Sequence, residues 1–355
     1  PVLPTGGTSL NDAIKPRRQR VGFKCHLQVA VSMQVVVLAG GIGSRLRPWT
    51  NTIPKPLLPM LDRTLLERVV EGVPADLVDE VVVAGGYKVD VIEQYFRDAD
   101  VDFDVRIVPE DEPLGTGGAL GNCRDIISGR FACFNGDIVS SLNLEPMLAQ
   151  HDSKGVTGTL ALWEVEDPTR FGIVGLDDDS MVTQFKEKPK PEEVFSNLIN
   201  AGSYILEDDV FDVMPQGRHS LERDVFPRLA EEGRLSGFPF QGYFIDAGTP
   251  NSWSDGVRTC IAEGRFSSGT IQGNSWVETG SAKAAFSMVQ AGCTIDGEVI
   301  DSTLLQGAHI ANGAVIEGCL VGEGAIIGEG AQLHDVVIDH GASVPAGHIQ
   351  TGGTF

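Results

Sequence analysis

The sequence predicts an α/β protein, in which a Rossmann-like domain with a mixed sheet is followed by a short left-handed parallel β-helix. Three observations predict it. Short apolar, mostly β-branched runs at 34–39, 80–84, 104–108 and 131–134 alternate with helical patterns near 64–72, 88–97 and 117–127. Alternation of this kind marks βαβ crossovers in a helix-covered sheet. The first run, Val35-Val36-Val37-Leu38-Ala39, ends abruptly in Gly40-Gly41-Ile42-Gly43; it reads as a strand buried on both faces that opens into a loop a ligand can approach closely. Far downstream, Val289, Ile295, Ile300, Leu305, Ile310, Ile316, Val321, Ile327, Leu333, Ile338 and Val344 stand five or six residues apart with small residues between them. That spacing places one aliphatic side chain per short strand inside a triangular prism.

The totals narrow the function. A chain of 355 residues can bury two cores, and its formal net charge of −22 argues against nucleic acid or an anionic membrane as partner. A polyanionic substrate must then be held by locally concentrated cations. Six cysteines without a CxxC pair suit a cytoplasmic, reduced protein, and no run of 18 apolar residues spans a membrane. Residues 1–32 are basic and aperiodic, and read as a disordered extension ahead of Met33.

Ser44, Arg45, Arg47 and Lys55 follow the glycines, with Pro48 and Pro54 between them. Backbone N–H groups and cationic heads together make a phosphate-gripping loop. It is no P-loop, because no Gly-Lys-Ser/Thr follows, and the prolines would stop the helix that a dinucleotide fingerprint must open. The whole pattern, from Gly40 through Pro54-Lys55-Pro56, resembles the signature of the sugar-nucleotide pyrophosphorylases. These nucleotidyltransferases join a sugar 1-phosphate to an NTP. The resemblance runs from Gln34 to about Ile261, and its finer motifs are most similar to mannose-1-phosphate guanylyltransferases. Those motifs are Asn197-Leu198-Ile199-Asn200-Ala201-Gly202 and Ser220-Leu221-Glu222-Arg223-Asp224-Val225-Phe226-Pro227.

The resemblance implies a layout in order along the chain. A nucleotidyltransferase domain would occupy 33–263, a linker and the start of the repeat 264–288, and the β-helix 289–355. Strands are expected at 157–165, 172–176 and 181–186. Leu38, Ala39, Gly40, Gly41, Gly43, Ser44, Arg45 and Gly136 would hold the nucleotide. Gly115 and Thr116, in the second Gly-rich loop Leu114–Ala119, would contact its base. Gly172, Glu187, Lys188, Asn200 and Gly202 would line the sugar-phosphate pocket, where Phe171 stands in place of the tyrosine many relatives carry. Asp137 and Asp246 would hold Mg²⁺ against the α-phosphate. Arg45 and Lys55 are assigned to the triphosphate, Lys188 to the sugar phosphate. Cys123 and Cys133 read as buried structural thiols.

The reading is therefore an enzyme making GDP-mannose and pyrophosphate from GTP and mannose 1-phosphate. Flat prism faces suggest a homo-oligomer. A glucose-1-phosphate thymidylyl- or uridylyltransferase shares the same phosphate machinery. A non-catalytic subunit that senses nucleotide-sugar would tend to lose it, and an acyltransferase β-helix would be longer.

Overall fold

A computed structural model describes residues 32–355 apart from 100, 102, 268 and 279–282; residues 1–31, where nearly all of the expected extension falls, lie outside the described residues. The central strand β1 (Met33–Leu38) has β2 (Val78–Gly85) on one side and β4 (Phe131–Asn135) on the other, both parallel to it, and β3 (Asp104–Pro109) extends the sheet beyond β2. The valines of β1 explain its place. Val36 packs into one apolar cluster with Val82 and Cys133, while Val35 and Val37 enter another with Val81, Val83 and Phe134. Alternate residues thus feed the cores on both faces, each fully buried valine contributing about 1.5–3 kcal/mol.

Beyond β4 the sheet becomes mixed. After the short strand β5 (Ile138–Ser140), β6 (Gly158–Glu164), β7 (Gly172–Leu176) and β8 (Val182–Glu187) follow at the expected positions. Strand β9 (Leu198–Leu206) runs antiparallel to β4, β6 and β7, and β10 (Leu235–Pro239) runs parallel to β6. The helix opening at the second Gly-rich loop covers Gly115–Gly121 rather than 117–127. Four glycines weaken it, and turns with three-residue spacing take over at Cys123 and Arg124. A separate two-stranded ladder pairs β5 with β11 (Phe244–Asp246). The helix Pro250–Ala262, capped by Thr249, leads onward.

From Ser275 onward the C-terminal strands form three sheets of short parallel rungs, one of them edged by the antiparallel strand Thr270–Gln272. Ile295, Ile310, Ile327 and Val344 align on one sheet, and Val289, Leu304, Val321 and Ile338 on another. This is the stacking that the aliphatic spacing predicts, with two corrections. Leu304 rather than Leu305 takes the aligned position, Leu305 packing instead with Trp49, and Val299 rather than Ile300 aligns with Ile316 and Leu333 on the third sheet. The first rung, Ser275–Val277, pairs in parallel with Met288–Val289. One cluster joins the two parts: Leu46, Trp49, Leu58 and Met60 from the first loop pack with Trp276, Met288, Leu305, Leu320 and Val337. No helix among the described residues is long and apolar enough to cross a membrane.

Candidate active site

Two clefts open at the carboxyl ends of β1 and β4, where open α/β sheets place ligands. The loop Gly40–Lys55 forms one wall of the first, a cleft of about 530 Å³. Gly43 takes a left-handed conformation (φ 64°), which starts the tight turn Ser44–Leu46. Thr50 Oγ1 donates to the Gly43 carbonyl at 2.9 Å and closes the loop. Leu38, Ala39, Gly40, Gly41, Gly43, Ser44, Arg45 and Lys55 line this cleft from one wall, and Gly115, Thr116, Gly136 and Asp137 from the others. Every nucleotide-binding residue expected from the sequence therefore lies along it.

The second cleft, of about 580 Å³, is lined by Gly172, Glu187, Lys188 and Asn200 together with Arg45, Asn135, Glu222 and Asp246. Lys188 stands in the left-handed region (φ 47°), and its N–H donates to the Phe171 carbonyl at 2.9 Å. Its ammonium lies 3.0 Å from Glu187 Oε1. Asn200 holds its own loop: Nδ2 donates to the Tyr204 hydroxyl at 2.9 Å, and Oδ1 accepts from Gly202 N at 3.1 Å. Gly202 is absent from the lining of both clefts. It lies behind Asn135, whose Nδ2 would stand 2.6 Å from a Cβ at that position.

Arg45 and Asn135 line both clefts, so the two meet there. The β5–β11 ladder brings the two carboxylates to this junction: Asp246 pairs with Ile138, and Ala247 N donates to the Asp137 carbonyl at 2.9 Å. Lys55 Nζ reaches Asp137 Oδ2 at 2.6 Å. Burial, and then the charge of Asp137, push the Asp246 carboxyl above its ordinary range, while Lys55 and Arg45 oppose the shift. A Cβ at Gly248 would stand 2.5 Å from Arg45 Nη2 and 2.7 Å from Asp246 Oδ1, so any larger residue would push these two side chains out of place.

Three buried oxygens in these clefts have no protein partner: Asp246 Oδ1, Asn135 Oδ1 and Glu110 Oε1. Orphaned buried acceptors are costly unless a ligand or ion satisfies them. Asp246 with its free oxygen, close to a second carboxylate, suits a hard divalent cation held by oxygen ligands. Glu110, whose carboxyl is raised by burial, faces the first glycine of the loop; its Oε2 would lie 3.1 Å from a Cβ at Gly40. The sequence reading missed Glu110, Asn135 and Glu222. The available signal was position, since Glu110 directly follows strand β3, Asn135 ends β4, and Glu222 lies inside the Ser220–Pro227 motif. Cys123 and Cys133 are buried, and burial pushes the Cys123 thiol to about 12, so neither is a nucleophile.

Two adjoining clefts with cations and two carboxylates at their junction suit an enzyme that brings two phosphorylated substrates together. The chain belongs to the nucleotidyl transferase family, whose model matches residues 34–287. A GlmU-like C-terminal hexapeptide model matches residues 274–352. A mannose-1-phosphate guanylyltransferase of Mycobacterium tuberculosis is 35% identical over 81% of this chain and 82% of its own length. A mannose-1-phosphate guanyltransferase of Schizosaccharomyces pombe is 34% identical, and the match spans 64% of each chain. The crystal structure of HddC from Yersinia pseudotuberculosis, with 31% identity, superposes with a TM-score of 0.54 over 63% of this chain and 98% of that one. HddC has also been crystallised in complex with GMP-PN.

Proposed function

We infer that this protein transfers a guanylyl group from GTP to mannose 1-phosphate, giving GDP-mannose and pyrophosphate. The observation that carries this reading is the meeting of the two clefts at Arg45 and Asn135, with Asp137 lining one and Asp246 the other, in a chain whose relatives of 34–35% identity are mannose-1-phosphate guanylyltransferases. In the reaction a phosphate oxygen of the sugar 1-phosphate attacks the α-phosphorus of GTP. The bond from that phosphorus to the bridging oxygen breaks, and pyrophosphate leaves with the electron pair. No nucleophilic side chain is needed; positioning and charge neutralisation supply the rate.

Arg45 and Lys55 neutralise the triphosphate from the first cleft, and Lys188 holds the sugar phosphate in the second. Asp137 and Asp246 would hold Mg²⁺, which when bound supplies positive charge against the phosphate oxygens. Lys55, paired with Asp137 at 2.6 Å, orients that carboxylate. Gly115 and Thr116 flank the base. The free Oε1 of Glu110 suits the N1–H and N2–H donors on the edge of guanine, which a carboxylate can accept together. Glu187 and Asn200 face the sugar hydroxyls. Residues 33–263 carry this chemistry, 264–288 lead into the prism of 289–355, and the exposed Ile326 and Ile349 on that prism support a homo-oligomer. Free thiols at the described cysteines fit a cytoplasmic protein.

The deciding experiment sets four NTPs against mannose-, glucose- and N-acetylglucosamine 1-phosphate, with pyrophosphate release as readout. The largest kcat/KM is expected for GTP with mannose 1-phosphate. Preference for dTTP or UTP with glucose 1-phosphate would overturn the substrate assignment. Silence from every pair in folded protein would overturn the enzymatic reading.

A further inference from the structure

A single carboxylate bridges the two clefts. Thr116 lines the nucleotide cleft and Glu222 the sugar-phosphate cleft. Thr116 Oγ1 donates to Glu222 Oε2 at 2.7 Å, and Ser220 Oγ donates to the same oxygen at 2.6 Å. Leu221 N donates in turn to Thr116 Oγ1 at 3.0 Å. The backbone repeats the connection. Gly117 N and Gly118 N donate to the His219 carbonyl at 3.1 and 3.2 Å, and His219 N donates to the Leu114 carbonyl at 3.0 Å. Glu222 itself sits in a single turn of π-helix, Leu221–Val225. That wide turn is rare and concentrates at functional positions. Its Oε1 has no protein partner among the described residues, and Glu222 is half-buried at the cleft.

We propose that Glu222 reads the sugar and couples the two substrates: Oε1 accepts a hydrogen bond from a sugar hydroxyl while Oε2 holds Thr116 and with it the loop that flanks the base. This rests on the two-substrate reading above. A sugar seated on Oε1 fixes the Glu222 rotamer, which fixes Thr116 and lowers the ordering cost of binding the nucleotide. By linkage the nucleotide favours the sugar phosphate by the same factor.

The test is equilibrium binding by calorimetry with α,β-methylene-GTP, which cannot release pyrophosphate, in the absence and presence of saturating mannose 1-phosphate. The wild type should bind the analogue about tenfold tighter with the sugar phosphate present. In Glu222→Gln and in Thr116→Val that factor should fall to about one. Because Thr116 flanks the base, its change also weakens the analogue by itself, so the readout is the ratio of affinities with and without the sugar phosphate, and unchanged melting temperatures exclude a general loss of structure. Equal coupling in wild type and both variants overturns the proposal, as does an absence of coupling in the wild type. If the substrate screen selects another pair, the same measurement is made with the analogue of that nucleotide and that sugar phosphate. Failure of the GTP and mannose assignment is thereby separated from failure of the bridge.

Discussion

Trp49 and His340 stack with ring centroids 6.1 Å apart and planes 28° from parallel, and Trp49 Nε1 donates to the Ile338 carbonyl at 2.9 Å. Trp49 belongs to the phosphate-gripping loop, while Ile338 and His340 belong to the C-terminal prism. The loop that lines the nucleotide cleft is thus seated on the β-helix through a fully buried aromatic ring. His340 is itself fixed, its Nδ1 accepting from Glu323 N at 3.0 Å.

Replacing Trp49 by phenylalanine keeps much of the apolar volume but deletes the Nε1–H, so the Ile338 carbonyl keeps only its bond from Gly322 N at 3.0 Å. A loss of about 0.5–1.5 kcal/mol in stability is expected from the missing hydrogen bond, read as a lowered denaturant midpoint. Ending the chain after residue 263 would expose Leu46, Trp49, Leu58 and Met60. Catalysis should therefore fail along with any change in assembly. A truncated protein with wild-type kcat/KM would show that the loop holds its shape without the prism.

Asp137→Asn and Asp246→Asn should each lower kcat at least about a hundredfold, the scale for losing one charge-stabilising group in the transition state. Unchanged melting temperatures would assign the loss to chemistry. EDTA should abolish turnover and added Mg²⁺ restore it. Near-normal turnover of either variant would remove that carboxylate from the site.

Gly248→Ala puts a methyl group among Arg45 Nη2 and Asp246 Oδ1. Both neighbours are side-chain ends that can move, so the fold should tolerate it while the junction does not. A misplacement on the order of 1 Å costs up to about a hundredfold in rate. Steady-state kinetics should show kcat reduced at least about tenfold, with the denaturant midpoint nearly unchanged.

Glu110→Gln exchanges an acceptor for a group with one donor and one acceptor. Guanine then meets donor against donor, and losing a hydrogen bond to a charged group costs about 1.5–3 kcal/mol. The kcat/KM for GTP should fall about tenfold to a hundredfold, and that for xanthosine triphosphate, which presents a carbonyl in place of the amino group, should rise. Equal losses for all nucleotides would make Glu110 a structural residue.

His151 gives a pH signature away from the site. It is buried, with Nδ1 2.8 Å from Thr159 Oγ1 and Nε2 3.2 Å from Glu207 Oε1, and burial lowers its pKa, although Glu207 opposes the shift. The unfolded chain takes up this proton near pH 6.5 and the folded chain only lower. The folded state binds fewer protons in that window, so this contribution to stability is complete above about pH 6.5 and falls as pH drops through it. Urea midpoints of His151→Gln should decline less than those of the wild type between pH 7.5 and 5.5. Parallel declines would refute the assignment.

By itself the sequence determined whatever is contiguous or periodic. The buried valine strand, the loop Gly40–Lys55 that it opens into and the aliphatic stack of the prism each follow from a few consecutive residues, because hydrophobic period and backbone freedom act locally. The family motifs placed every expected nucleotide residue along one cleft for the same reason. Tertiary structure decided the rest. Asp137 and Asp246 meet only because β5 and β11 pair across a long stretch of chain. Glu110, Asn135 and Glu222 matter through the burial and bonding of single oxygen atoms, which depend on neighbours remote in sequence. Gly202, read as pocket lining, lies instead behind Asn135. The prism, read as a surface for assembly, also closes the core beneath the phosphate loop, since Trp49 can be buried only once the rungs around Ile338 are stacked.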